Sequence, residues 1–249
     1  MKETYETEKN MYIIMEQVSG GELFDHIKTY ELEEKEVAIC MYQIISAISY
    51  LNKCGVVHRD LKPENILIEK DPETEEVCNI KLTDFGLSKI AVPNEIMHES
   101  CGTPAYVAPE VLHKKGYKKE VDMWSAGVIF YTLICRQLPF QMPDRKQTFQ
   151  QIKEKDPNMT LPAFQRFVPE AKDLISKMLI KDPLQRIKPE EALVHPYFLK
   201  TGLAKEPVKE PEPMAAQPQE SSLAQNEEKA EPVREDQEEK ETQETKDQK

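Results

Sequence analysis

The sequence predicts an α+β fold in which helices dominate and strands are short. Three observations carry this. Residues 33–54 place Val37, Cys40, Met41, Ile44, Ile45, Ile48 and Leu51 at the three- and four-residue spacing of a helix with one buried face. From Asp122 to Arg136 the chain is apolar almost throughout, which marks a helix buried on all sides. The strand-like runs are brief: Tyr12-Ile13-Ile14-Met15, Val56-Val57, Ile66-Leu67-Ile68 and Ile80-Lys81-Leu82.

Each element has a local cause. Tyr12 to Met15 follows a polar turn at Glu8-Lys9-Asn10, so it reads as a strand paired with the residues before that turn, and Gly20-Gly21 end it. Gly55 is a natural stop for the first long helix. Residues 87–107 show no sustained period and contain Pro93 and Pro104, which predicts a long loop. Long loops in compact domains are usually functional. Further helices are expected at about 145–155, 170–180 and 189–195. Pro189 before Glu190-Glu191 suits a helix start, where proline and acidic residues are favoured.

Composition narrows the class. Of 249 residues, 39% are hydrophobic, enough for a sizeable core, and the net charge is −12. Residues 205–249 hold 7 basic and 14 acidic residues, no aromatic one and abundant Glu, Gln, Lys and Pro. Such a segment cannot bury enough apolar surface to offset its chain entropy, so a disordered acidic tail is expected, with a transient helix near 226–245 as the alternative. Residues 1–204 are also net acidic, which argues against nucleic-acid or membrane partners. The five cysteines are odd in number and lack zinc-site spacing, as free thiols of a reducing cytoplasm or nucleus would. No apolar core of a signal peptide and no membrane-length apolar run occurs.

The chemistry is concentrated in motifs. Residues 58–65 read His-Arg-Asp-Leu-Lys-Pro-Glu-Asn, followed by Asp84-Phe85-Gly86 and Ala108-Pro109-Glu110. At roughly 5% per position, eight fixed residues recur by chance on the order of once in 10¹⁰ starts, so accident is excluded. These motifs match the catalytic loop, metal-binding aspartate and activation-segment end of protein kinases. The chain resembles a eukaryotic serine/threonine-protein kinase of the calcium/calmodulin-dependent kinase group, including the calcium-dependent kinases of protists and plants. Gly20-Gly21-Glu22-Leu23-Phe24-Asp25 and Gly102-Thr103-Pro104-Ala105-Tyr106-Val107 carry the narrower resemblance.

The resemblance implies a protein-kinase-like fold, transfer of the γ-phosphate of ATP to Ser or Thr of protein substrates, and Mg²⁺ as the metal. Asp60 is then the base for the substrate hydroxyl, Lys62 contacts the transferring phosphate, and Asn65 and Asp84 ligate magnesium, a hard ion that prefers oxygen. Lys62 and Thr103 argue for serine/threonine substrates. His58 and Phe85 would pack, Asp122 would hold the catalytic loop, and Trp124 would be core. Backbone groups of Glu16 and Val18 would meet adenine, with Met15 behind and Leu67 beneath. Glu22 and Glu64 match positions that recognise upstream basic residues. Glu110 and Arg186 resemble the ion pair that staples the activation segment. Arg59 would pair with a phosphorylated residue, Ser100 being the choice, or with a permanent charge from Glu95 or Glu99.

Part of the family pattern is missing. No Gly-x-Gly-x-x-Gly and no Val-Ala-Ile-Lys occurs, and the first glycine is Gly20. The expectation is an N-terminally incomplete kinase. Residues 1–18 would be a remnant of the small-lobe strands and hinge, 19–200 the helical C-terminal lobe, and 205–249 the tail. No EF-hand loop is present. A catalytically incompetent fragment serving as a binding or scaffold module is the alternative, and a regulatory partner for the tail is a further expectation.

Overall fold

The computed structural model describes residues 2–91 and 95–204. The expected tail, and any helix within it, lies outside the described residues.

The chain opens with a hairpin of β1 (Glu3–Glu6) and β2 (Met11–Ile14), antiparallel with Tyr5 opposite Tyr12. Its turn lies at residues 7–10, where the polar run was read, and closes through Thr7, whose N–H donates to the Asn10 carbonyl at 2.8 Å. Every residue of both strands is exposed, including Met11 at 66%. Gly20-Gly21 then bring the chain onto the next sheet. Gly21 has φ +79°, and a Cβ on Gly20 would lie 2.2 Å from the Ile68 carbonyl oxygen. Only glycine fits such an approach.

A short helix α1 (Leu23–Thr29) follows, which periodicity alone did not reveal. The central helix α2 (Glu34–Lys53) spans the expected range and buries Val37, Cys40, Met41, Ile44, Ile45 and Ile48. Glu33 and Glu36 form a capping box at its start. Two small sheets frame the catalytic loop. β4 (Ile66–Lys70) pairs antiparallel with β5 (Val77–Leu82), with Ile66 opposite Leu82. β3 (Val56–Val57) pairs with β6 (Lys89–Ile90), a strand inside the region read as loop. Two residues bonded to a partner more than 30 positions back leave no periodic signal.

The lower part is helical. α3 (Pro109–Leu112) precedes α4 (Val121–Cys135), in which residues 121–134 are all buried, as the apolar run required. Trp124 stacks on Phe140, ring centroids 5.9 Å apart. α5 (Arg145–Glu154), α6 (Pro169–Met178) and α7 (Pro189–Leu193) overlap the expected spans, α6 starting one residue early, and α8 (Pro196–Lys200) follows. The core lies between α2, α4 and α6, with α2 also backing the β4–β5 hairpin. Among the described residues, no helix is long and apolar enough to cross a membrane.

Candidate active site

The residues 58–65 form a rigid loop because a buried carboxylate holds its backbone. Asp122, at the start of α4, is fully buried and accepts the N–H groups of His58 at 2.8 Å and Arg59 at 2.9 Å. Burial raises the Asp122 carboxyl above the ordinary range, and the two N–H bonds oppose that rise. Arg59 is left at φ +68°, a strained turn that throws its side chain one way and Asp60 the other. His58 is fully buried; its Nε2 donates to the Thr83 carbonyl at 3.1 Å and its Nδ1 accepts the Asp60 N–H at 3.4 Å. Phe85 lies 4.8 Å from the His58 ring but is 44% exposed, so it is less enclosed than a packing role implied. It borders an open apolar groove with Ala47, Tyr50, Leu51 and Leu82.

Asp60 is 8% exposed and surrounded by donors. Its Oδ1 accepts both the hydroxyl and the N–H of Thr103, at 2.8 and 2.9 Å. Its Oδ2 lies 3.0 Å from Lys62 Nζ and accepts from Asn65 Nδ2 at 3.3 Å. Lys62 Nζ also donates to Thr103 Oγ1 at 3.0 Å, closing a triangle. Burial pushes the Asp60 carboxyl up, but the Thr103 hydroxyl and the Lys62 ammonium outweigh it and hold it below the usual carboxylate range. A carboxylate kept ionised between a hydroxyl and a cationic donor is what this arrangement provides.

Asn65 and Asp84 come together through strand register. Ile66 opposes Leu82, so Thr83 donates its N–H to the Asn65 carbonyl at 3.0 Å, and Asp84 follows directly. Asn65 is buried and turns its amide N–H₂ to the Asp60 carbonyl at 2.9 Å, leaving Oδ1 as an oxygen donor. Asp84 is left-handed at φ 58° and uses one carboxylate oxygen to accept from Gly86 N–H at 3.2 Å. Among the described residues no cluster of three His, Cys, Asp or Glu could hold a metal alone. Magnesium bound through one or two protein oxygens plus phosphates needs no such cluster, so the donor set fits it.

The remaining expected residues fall around this centre. Leu67 is half-buried and bridged to Glu22, while Ile68 N–H donates to the Gly21 carbonyl at 2.9 Å. Met15 is 64% exposed, Val18 is half-buried, and the Glu16 carboxylate pairs with Lys81. Glu64 carries a buried Oε2 with no hydrogen-bond partner among the described residues. Glu110 meets Arg186 through two parallel bonds of 2.7 and 2.9 Å, and Arg186 also donates to the carbonyls of Ile180 and Glu120.

Arg59 engages Glu99. Its Nη1 lies 3.2 Å from Glu99 Oε2, and its Nε donates to the Leu87 carbonyl at 2.6 Å. Lys89 reaches Glu99 at 3.1 Å and Glu95 at 3.0 Å. The Glu99 carboxyl is held down to about 2 by its own backbone N–H, Lys89 and Arg59. Ser100 is exposed. Two residues escaped the sequence reading: Lys89, which bridges both glutamates, and Tyr117, whose hydroxyl donates to the Glu99 carbonyl at 2.8 Å. Neither belongs to a motif; only the fold brings them there.

Comparison with known proteins agrees with this geometry. Residues 1–198 match the family described as "Protein kinase domain". Myosin light chain kinase A of Dictyostelium discoideum is 43% identical over 199 residues, 80% of this chain and 66% of that protein. The SNF1-related protein kinase catalytic subunit alpha KIN12 of Arabidopsis thaliana is 43% identical over 197 residues, 79% of this chain and 38% of that protein. Serine/threonine-protein kinase DCLK3 of Mus musculus is 40% identical over 205 residues, 81% and 25% respectively. The chain therefore spans less than two thirds of the length of each of these relatives. With the catalytic loop, the paired oxygen donors and the stapled activation segment in place, the family match makes this chain a member of the protein kinase domain family.

Proposed function

We propose that the chain is a serine/threonine-protein kinase of the calcium/calmodulin-dependent group, transferring the γ-phosphate of ATP to Ser or Thr of protein substrates. The observation that carries this is the saturated carboxylate of Asp60. Four donors from Thr103, Lys62 and Asn65 surround it, so an incoming hydroxyl displaces one of them to reach an oxygen. Lys62 is the natural one to leave. Its side chain is 21% exposed, and its ammonium then turns toward the transferring phosphate, offsetting charge there. Thr103 stays, keeping Asp60 oriented while it accepts the hydroxyl proton. Asn65 Oδ1 and Asp84 would hold magnesium, which when bound neutralises phosphate charge. Leu67 would lie under adenine, backbone groups of Glu16 and Val18 would take its edge, and Met15 would close the rear.

The partnerless Glu64 oxygen supports a preference for basic residues upstream of the phosphorylated site. A buried carboxylate oxygen without a donor is costly, and a guanidinium from the substrate would satisfy it once the half-buried Glu64 side chain turns outward. Glu22, exposed beside Leu67, would extend the same acidic surface. For regulation, Glu99 is the permanent partner of Arg59 in this reading, and Ser100 is not required.

A second reading, a binding module without catalysis, is favoured by one observation. Met11, Tyr12, Ile13, Ile14 and Met15 are all at least 45% exposed, apolar surface on both faces of the strand that is suited to a partner.

Transfer from ATP·Mg²⁺ to a serine peptide, with and without an arginine upstream, separates the two. The kinase reading expects transfer that rises with the arginine and falls back in Glu64→Gln. Folded chain that transfers nothing supports the binding module.

A further inference from the structure

A basic surface lies on the loop before α4, beside Glu95 and Tyr117. The loop between α3 and α4 reads His113-Lys114-Lys115-Gly116-Tyr117-Lys118-Lys119, and its four lysines are all exposed. None of them forms an ion pair with another described residue. Elsewhere Lys28, Lys35, Lys81, Lys89, Lys181 and Lys200 each have a carboxylate within 4.0 Å. Four like charges within six residues repel one another, and nearby carboxylates offset that repulsion only in part.

The cluster sits on a fixed turn. Met97 and Tyr117 exchange two backbone hydrogen bonds of 2.9 Å each, and Gly116 takes φ +94° with Ile96 against it. Lys53, at the end of α2, joins the cluster from a second element. Lys53 and Lys119 both act on the Glu190 carboxylate, which also accepts the Ser49 hydroxyl at 2.9 Å. Lys53, Lys118 and Lys119 line a cavity of about 480 Å³ whose floor includes Gly55, Val56 and Val57. That volume is within the range of specific ligand sites.

We propose that this surface docks an acidic peptide segment of a partner protein, with one apolar side chain seated in the cavity and Asp or Glu residues against Lys53, Lys114, Lys115, Lys118 and Lys119. Charge complementarity selects the class. Glu95 and Glu120 line the same cavity and break the positive surface into a short patch. Such a patch suits a few carboxylates around an apolar anchor and is too short to follow an extended polyanion such as RNA. The inference is independent of phosphoryl transfer and stands if this chain proves inactive.

The test uses the full chain and a fluorescent probe peptide of alternating Glu and Ala with a central Leu, followed by anisotropy. The expected result is saturable binding that weakens with salt. It falls at least 10-fold in Lys53→Gln/Lys118→Gln/Lys119→Gln and is unchanged in the control Lys28→Gln/Lys35→Gln/Lys146→Gln. Amide shift mapping in the unaltered chain serves as the measurement free of variants, and expects perturbation at 53–57 and 114–120. No saturable binding, equal loss in the control variant, or shifts elsewhere would overturn the proposal. So would a patch-dependent response to anionic vesicles or RNA in place of the peptide.

Discussion

Arg59 and Glu99 meet at 3.2 Å, and Lys89 binds the other oxygen of the same carboxylate at 3.1 Å. The residue before the proposed base is therefore tied to the activation segment by a permanent charge. Glu99→Gln is expected to lower phosphoryl transfer roughly 10-fold through misplacement of the loop. Ser100→Ala is expected to leave it unchanged. The kinetics of the two variants on one serine peptide check this; loss on Ser100→Ala with Glu99→Gln unaffected would reverse the assignment.

The same pair sets a pH window. The Glu99 carboxyl is depressed to about 2, so its contribution to stability is complete above the unfolded value and is lost as pH falls through about 2. Acid unfolding of Glu99→Gln, followed by circular dichroism, should lack that portion of the acid-side decline. An acid profile superimposable on that of the unaltered chain would contradict the pairing.

Thr103 supplies two of the four donors on Asp60. Removing its hydroxyl in Thr103→Val leaves burial to raise the carboxyl while one opposing bond is gone. The base is active when ionised, so the acidic limb of kcat/KM should move to higher pH. The plateau should fall by about 10²-fold, within the range for a disturbed general base. A pH–rate profile of the variant decides it.

Glu110 and Arg186 form a bidentate pair with the arginine side chain fully buried. Breaking such a pair from one side costs about 3–5 kcal/mol, because the surviving charge is left uncompensated. Glu110→Gln should therefore lower the midpoint of urea unfolding strongly, with an unchanged slope. A midpoint within error of the unaltered chain would refute the staple.

Gly20→Ala tests the close approach of its turn to β4. The added Cβ would meet the Ile68 carbonyl at 2.2 Å, so the backbone must shift. Overpacking of this kind costs about 1–3 kcal/mol. Thermal unfolding reads the loss directly, and a Tm unchanged from the unaltered chain would mean that the approach is looser than described.

Much of the fold and site was legible in the sequence, for identifiable reasons. α2 and α4 announced themselves because their apolar positions follow a helical period or fill it entirely. Asp60, Lys62, Asn65 and Asp84 could be singled out in the sequence because the family motifs fix residue types at fixed spacings, and the structure brings Lys62 and Asn65 onto the Asp60 carboxylate. α1 was not, since seven residues give too few turns for a period. β6 was not, since its partner β3 lies far back in the chain. The choice between Ser100, Glu95 and Glu99 for Arg59 was open in sequence, as all three sit within a few residues. In the structure Arg59 meets Glu99, and Glu95 meets Lys89. The cluster of Lys53 with Lys118 and Lys119 depends on α2 ending beside the α3–α4 loop, which no local pattern encodes.

The most direct test of the account is phosphate transfer from ATP·Mg²⁺ to an arginine-containing serine peptide by the full chain and by Asp60→Asn. The substitution keeps shape and removes the base. The account predicts transfer by the unaltered chain and a loss of at least 10²-fold in the variant, with both equally folded by circular dichroism. Equal rates from the two proteins would contradict Asp60 as the base of this kinase domain.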